Sequence, residues 1–377
     1  MMSMLPYGRP CLDESDAEAV AAAVRTEWLT AGPTVRRFEG ELGGYLGGVG
    51  CVSVSSGTAA LHTAYGAVGL RPGDEVVTTP LTFVATAATA ALHGARVVFA
   101  DVEEATGNLD PAAVQAAVTS RTRVVTAVDY AGHPAEYGQL RKVAADAGAL
   151  LFDDAAHAIG STYRGAPVGG LADLTTFSFF PTKNLTTGEG GAVTGTDPDL
   201  LDRVRRFANH GMVRDPQQLR YGDEGGWHQE VHSFGLNYRL SDVLCGLGLN
   251  QLTRLSRFKA YRARLAARYH ELLADLPGLR LPEQRPWVDP VWHLYPVRVL
   301  AGRRREVYDR MRAAGIGVQV NYLPVYRHPV FADLGYRQGQ CPTAEAYYAE
   351  ELSLPIHPDL TDADQDCVVD ALRTILM

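Results

Sequence analysis

Between residues 51 and 193 the chain repeats one alternation, a short apolar run followed by a turn and an alanine-rich stretch. Cys51-Val52-Ser53-Val54-Ser55 leads into a helix beginning near Gly57-Thr58-Ala59, and Glu75-Val76-Val77-Thr78-Thr79 precedes Phe83 to Leu92. Arg96 to Ala100, Val124 to Val128 and Leu150-Leu151-Phe152 follow, with a helix expected around Gln139 to Ala147. Thr175 to Phe180 and Ala192-Val193 extend the series. Strands that are apolar throughout are covered on both faces, and strands separated by helices of this length pair in parallel. The fold class expected is therefore α/β, with a mainly parallel sheet sandwiched by helices.

Two helices precede this region, Asp13 to Thr26 and, after the Gly32-Pro33 break, Val35 to Leu46. A long helical stretch from Ser241 to Leu273 follows it and ends at Pro277-Gly278. Pro282, Pro286 and Pro290 then mark a joint between domains. Beyond the joint, Trp292 to Leu300 is expected as a strand, Arg304 to Ala314 as a helix and Ile316 to Val320 as another strand. The division expected is a large domain over residues 1–255 and a smaller C-terminal α/β domain over 256–377.

Composition narrows the function. A net charge of −8 with no lysine-rich or arginine-rich tract argues against a nucleic-acid partner. No apolar run approaches the roughly 18 residues needed to span a bilayer, and the opening Met1-Met2-Ser3-Met4-Leu5-Pro6-Tyr7 lacks the features of a leader. The five cysteines are scattered without a C-x-x-C pair, so neither a disulfide framework nor a metal site is expected. These readings together describe a soluble cytoplasmic protein.

Lysine is rare here: Lys142, Lys183 and Lys259 are the only three among 35 basic residues. Lys183 ends an aromatic strand, Phe177-Ser178-Phe179-Phe180-Pro181-Thr182-Lys183, and enters the turn Gly188-Glu189-Gly190-Gly191. Lysine differs from arginine in being able to lose its proton and attack a carbonyl. Three further motifs stand at strand ends, where parallel sheets bind ligands. Asp153-Asp154-Ala155-Ala156-His157 follows Leu150-Leu151-Phe152, and a carboxylate there either caps the next helix or keeps a pyridinium nitrogen protonated. Ser55-Ser56-Gly57-Thr58 is a strand-to-helix turn that caps a helix and can also bind phosphate through its N–H groups. Phe83 in Pro80-Leu81-Thr82-Phe83 is either a core residue or a surface for a planar ring. Ser178 could add a hydroxyl to the phosphate site. Acid, phosphate turn, stacking ring and Schiff-base lysine in one chain point to pyridoxal 5'-phosphate.

At these residues the chain resembles the DegT/DnrJ/StrS family of sugar aminotransferases, of fold-type I among pyridoxal-phosphate enzymes. The likeness runs from Leu5-Pro6-Tyr7 and Trp28-Leu29-Thr30-Ala31-Gly32-Pro33 through the motifs above to Asn237-Tyr238-Arg239 and Leu354-Pro355-Ile356-His357-Pro358. The resemblance implies that Lys183 holds the cofactor covalently, Asp154 pairs with its ring nitrogen, Phe83 stacks on it and His157 lies near its hydroxyl. It implies phosphate contacts from Gly57, Thr58 and Ser178, and from Asn237 of a neighbouring subunit, hence a homodimer with shared sites. Tyr7, Leu29, Thr30, Ser56, Arg239 and the segment Asn321, Tyr322, Leu323 and Pro324 would face the substrate. The branch most similar aminates C4 of 4-keto-6-deoxyhexoses, which implies L-glutamate as donor and a UDP- or dTDP-linked keto-sugar as acceptor. Two departures leave the sugar open, Phe180-Pro181-Thr182 before the lysine and Asn321 where that branch usually has His. A related dehydratase would carry His in place of Lys183, a regulator of this family would carry a DNA-binding segment, and a cysteine desulfurase would need a mobile catalytic cysteine.

Overall fold

The computed structural model describes residues 4–222 and 224–377. Met1 to Ser3, the start of the stretch read against a leader, and Asp223 lie outside the described residues.

Seven strands among the described residues form the central sheet: β1 Gly50–Val54, β2 Glu75–Thr78, β3 Arg96–Phe99, β4 Thr122–Val128, β5 Leu150–Asp154, β6 Leu174–Ser178 and β7 Gly191–Gly195. Their spatial order is β1-β7-β6-β5-β4-β2-β3. The pairs from β6 through β3 run parallel, as expected for strands joined by helices. β7 lies antiparallel to both β6 and β1. The exception follows from chain length, since β6 and β7 are joined by a turn with no helix between them. Val76, Val77, Val124, Val125, Leu151 and Phe152 are all buried, which is why these strands lack polar alternation.

Helix α1 (Glu14–Val24) is held by a capping box between Asp13 and Asp16, and α2 (Pro33–Tyr45) starts at the proline that breaks the preceding chain. Helix α3 (Gly57–Ala67) follows β1, with Ser56 as N-cap accepting from the Ala59 N–H. Helix α4 (Ala85–Leu92) follows β2. A single helix, Asp242–Leu273, crosses residue 255. Its Leu249, Leu252 and Leu255 pack with Phe38 and Phe179, whereas Leu265, Ala266 and Tyr269 pack in the C-terminal cluster.

That cluster lies on a three-stranded antiparallel sheet of β8 (Leu279–Arg280), β9 (Tyr295–Val299) and β10 (Glu351–Leu354), covered by the helices Arg304–Ala313 and Asp362–Leu376. The expected strand Ile316 to Val320 does not form. Ile316 bridges Leu5, and Gln319 bridges Ser353, each in isolation. Gly317 explains the interruption, because a Cβ there would meet Leu5 O and Tyr7 N at 2.8 Å, so the opening segment crosses where a ladder would continue. Val325, Tyr326, Phe331 and Tyr347 then return to the core of the large sheet. The opening segment and residues 319–322 thereby close over the carboxyl ends of β4, β5 and β6.

Candidate active site

A cavity of about 490 Å³ opens at those strand ends. The end of β6 makes one wall: Thr176, Phe177 and Ser178 line the cavity, while Phe179, just beyond the strand, is buried in the core edge-on to Phe38 at 5.7 Å. The chain turns back through Gly188, whose φ is +81°, into β7. A Cβ at Gly191 would stand 2.5 Å from Ser56 O, so glycine is required where β7 passes the α3 turn. Lys183 is carried on the short segment between these two strands and is half-buried.

The α3 turn supplies the opposite wall. A Cβ at Gly57 would lie 2.7 Å from Ser178 Cβ, so the helix start and Ser178 form a cradle that only glycine allows. The first N–H groups of a helix have no intrahelical partner and favour an anion. Gly57 and Thr58 occupy that position here.

Asp154 is buried at the end of β5. Thr86 donates its hydroxyl to Oδ2 at 2.7 Å, and the Ala156 N–H donates to Oδ1 at 3.2 Å. A turn, not a helix, follows it, so the capping alternative reduces to that one bond. Burial pushes the Asp154 carboxyl up, opposed by Thr86, the Ala156 N–H and the Lys183 charge. Burial pushes the Lys183 amine down from 10.5 to about 8, with Asp154 opposing. Among the described residues no hydrogen bond or ion pair holds the Lys183 amine.

His157 is also buried, its Nε2 3.1 Å from the Tyr322 hydroxyl and its Nδ1 unpartnered. Burial, aided by Lys183, keeps it neutral. Phe83 is 58% exposed with its ring 6.2 Å from that of Tyr322, so it is a cavity surface and not a core residue. These side chains fit pyridoxal phosphate: a neutral-capable amine, a buried carboxylate, a glycine-lined helix start with a serine, and an exposed aromatic face share one cavity.

Tyr7, Ser56, Asn321 and Tyr322 line the same cavity. Leu29 and Thr30 do not, being exposed, with Thr30 bridged to Ser241. Asn237 is exposed and bridged to Asn209, and Arg239 bonds Asn209 Oδ1 at 2.5 Å beside a different cavity. Leu323 is half-buried and Pro324 buried, neither on the cavity wall.

Thr86 and His293 were not anticipated from sequence as site residues. Thr86 lies one helical turn beyond Thr82 of the Pro80-Leu81-Thr82-Phe83 motif, and that spacing was the available signal. His293 looked like part of a strand but precedes β9, with its ring 4.4 Å from His157 and its Nδ1 unpartnered. Burial, the two neighbouring cationic groups and His157 keep it neutral. No motif marked it; the preceding Trp292 takes a φ of +52°, a conformation no periodic pattern announces.

The parallel sheet, the lysine and the carboxylate at its strand ends define a pyridoxal-phosphate aminotransferase of fold-type I. Residues 10–373 match the profile of the DegT/DnrJ/EryC1/StrS aminotransferase family. The chain belongs to this family and is a pyridoxal-phosphate-dependent sugar aminotransferase. It is 39% identical to the spore coat polysaccharide biosynthesis protein SpsC of Bacillus subtilis, over 99% of this chain and 97% of that one. It is 35% identical to the UDP-4-amino-4,6-dideoxy-N-acetyl-beta-L-altrosamine transaminase of Campylobacter jejuni, over 99% and 98%. The PLP form of Spr1654 from Streptococcus pneumoniae superposes with a TM-score of 0.92 at 27% identity, covering 99% of this chain and 98% of that one.

Proposed function

We propose that this enzyme transfers an amino group from L-glutamate to C4 of a nucleotide-linked 4-keto-6-deoxyhexose, and that two copies form a dimer with shared sites. The observation that carries the catalytic part is the single cavity uniting Lys183, Asp154, the Ser56-Gly57-Thr58 helix start, Ser178 and Phe83. The similarity to the Campylobacter transaminase supports a nucleotide-sugar acceptor.

When bound, pyridoxal phosphate supplies an electron sink for negative charge on the carbon beside the transferred nitrogen. Asp154 would hold the ring nitrogen, Phe83 one ring face, and Gly57, Thr58 and Ser178 the phosphate. His157 would stand near the ring hydroxyl. Lys183 Nζ would take the proton from the donor's α-carbon and, in the second half of the exchange, would deliver one to the keto carbon of the sugar. Burial suits it to that work by keeping an appreciable fraction of the amine neutral.

The dimer is supported by apolar exposure that one chain leaves uncovered: Phe234 is 98% exposed, Tyr221 89% and Trp227 79%. Asn237, Arg239, Leu29 and Thr30 lie away from this chain's cavity and would complete a partner's. No helix among the described residues is long and apolar enough to cross a membrane, in keeping with work in the cytoplasm.

The test is a panel of UDP- and dTDP-linked 4-keto and 3-keto sugars with glutamate, read by mass and by NMR of the new amino carbon. Amination at C4 with consumption of glutamate is expected. Exclusive C3 amination would replace the acceptor assigned here. A Lys183→Ala protein with unchanged turnover would remove the mechanism altogether.

A further inference from the structure

Behind the cavity wall made by Tyr7 and Asn321 lies a buried carboxylate that the reaction does not use. Glu351 opens β10 and is fully buried. Its Oε2 accepts the Asn321 backbone N–H at 2.6 Å, and its Oε1 accepts the Ser353 hydroxyl at 2.6 Å. Ser353 Oγ in turn accepts from Asn321 Nδ2 at 3.0 Å, and Nδ2 also donates to Tyr7 Oη at 3.1 Å. The Tyr130 hydroxyl donates to Asn321 O at 2.6 Å, fixing the other side of the same residue.

The direction of these bonds follows from counting hydrogens. Burial raises the Glu351 carboxyl to about 8, so above that pH it is an ionised carboxylate, which only accepts. Ser353 therefore points its one hydrogen at Oε1, and its oxygen can only accept from Asn321. Both Nδ2 hydrogens are thus turned inward, one to Ser353 and one to Tyr7. Asn321 Oδ1 is left as a free acceptor on a residue that lines the cavity. Tyr7 Oη, already accepting from Nδ2, keeps its own hydrogen for a ligand.

We propose that Glu351, acting through Ser353, sets the hydrogen-bond polarity of the substrate wall, an acceptor at Asn321 Oδ1 beside a donor at Tyr7 Oη. Such a pair is complementary to a sugar substituent that both donates and accepts, a free hydroxyl or a secondary amide. Glu351 and Ser353 are positioning residues for this specificity, and the inference rests on the sugar aminotransferase reading above.

Glu351→Gln reverses the pattern at constant size. Its carbonyl must accept the Asn321 N–H, so its NH₂ turns to Ser353, which then donates to Asn321. The amide rotates, Tyr7 donates to Oδ1, and an N–H donor faces the cavity instead. The experiment uses holoenzyme at pH 9, where Glu351 is ionised because burial pushes its carboxyl only up to about 8. Steady-state constants are measured for the best keto-sugar nucleotide and for its single deoxy and O-methyl analogues. Affinity for the same sugars is measured by calorimetry on the enzyme in its PLP form, which has no amine to give the ketone.

In the native enzyme, one deoxy analogue should lose about tenfold or more in kcat/KM, since a buried polar pair is left unmatched. In Glu351→Gln, KM and Kd for the parent sugar should rise about tenfold with kcat within about twofold, and the deoxy penalty should vanish. Ser353→Ala, which removes the relay and keeps the carboxylate, should weaken the deoxy penalty in the same direction and serves if Glu351→Gln does not fold. Unchanged KM and Kd in both variants, or an undiminished deoxy penalty, would overturn the proposal. A native enzyme that aminates no keto-sugar would instead overturn the function on which it rests.

Discussion

Lys183 offers a direct test of the site's electrostatics, because a chain with only three lysines gives a resolvable amine spectrum. Burial lowers its pKa from 10.5 to about 8. At pH 7 the neutral amine fraction is then about 9%, against about 0.03% for an unperturbed lysine, a gain of roughly 300-fold in nucleophile. Cofactor-free protein, reductively methylated with ¹³C-formaldehyde, should show one lysine signal that titrates near pH 8 and is missing from Lys183→Ala. The rate of pyridoxal phosphate uptake by unlabelled protein should rise with pH through the same midpoint. Asp154→Asn removes the charge that opposes the shift, so its Lys183 midpoint should fall below the native one. The linkage has a definite sign. A base with a lowered folded pKa leaves the unfolded chain binding more protons between about 8 and 10.5, so this group's contribution to stability rises with pH across that window. A Lys183 midpoint above pH 10 in native protein, or one that rises in Asp154→Asn, would refute the argument that burial tunes the amine.

Other substitutions probe the supporting contacts. Thr86→Val removes the hydroxyl on Asp154 Oδ2 and should cost about 1–2 kcal/mol in denaturant melts, with faster cofactor loss on dialysis. Gly57→Ala puts a Cβ 2.7 Å from Ser178 Cβ, and should weaken cofactor retention about tenfold or more, read by equilibrium dialysis of pyridoxal phosphate. Asp129→Asn tests a buried group that burial pushes up to about 7. The Tyr137 hydroxyl lies 2.8 Å from Asp129 Oδ2 and 2.5 Å from Asp153 Oδ2, yet has one hydrogen to share, and an asparagine NH₂ supplies the missing donor. A raised carboxyl pKa weakens the native state as pH climbs towards 7, so Asp129→Asn should gain on the order of 1 kcal/mol over native at pH 8.5, and less at pH 5, in urea melts.

What could be read in advance depended on whether a residue's task is local. β1 to β6, the Ser56 cap and the turn at Gly188 to Gly191 are set by neighbours a few positions away, so apolar runs and glycine spacing announced them. Asp154 was visible for a related reason, since it ends β5 and strand ends in a parallel sheet face the ligand, while Lys183 stood out by its scarcity and lies on the segment that follows β6. The antiparallel turn of β7 was less visible, because nothing in Ala192-Val193 itself states direction. Only the missing helix between β6 and β7 does. The wall of the cavity was legible only through the family resemblance, which turned Tyr7, Asn321 and Tyr322 toward the substrate, and not through periodicity or spacing. Tyr7 meets Asn321 across 314 positions, and Asn321 meets Glu351 across 30, through hydrogen bonds that leave no periodic trace. Ile316 to Val320 was expected as a strand on composition, yet two crossing segments divide its hydrogen bonds, one to Leu5 and one to Ser353. The scaffold of this enzyme is thus specified by short-range pattern, while the cavity wall at Tyr7 and Asn321 is specified by polar groups that meet only after segments distant in sequence have come together. Under the proposal made for Glu351 and Ser353, the departure at Asn321 gains a meaning: an amide whose orientation is dictated from behind would distinguish a donor from an acceptor on the sugar.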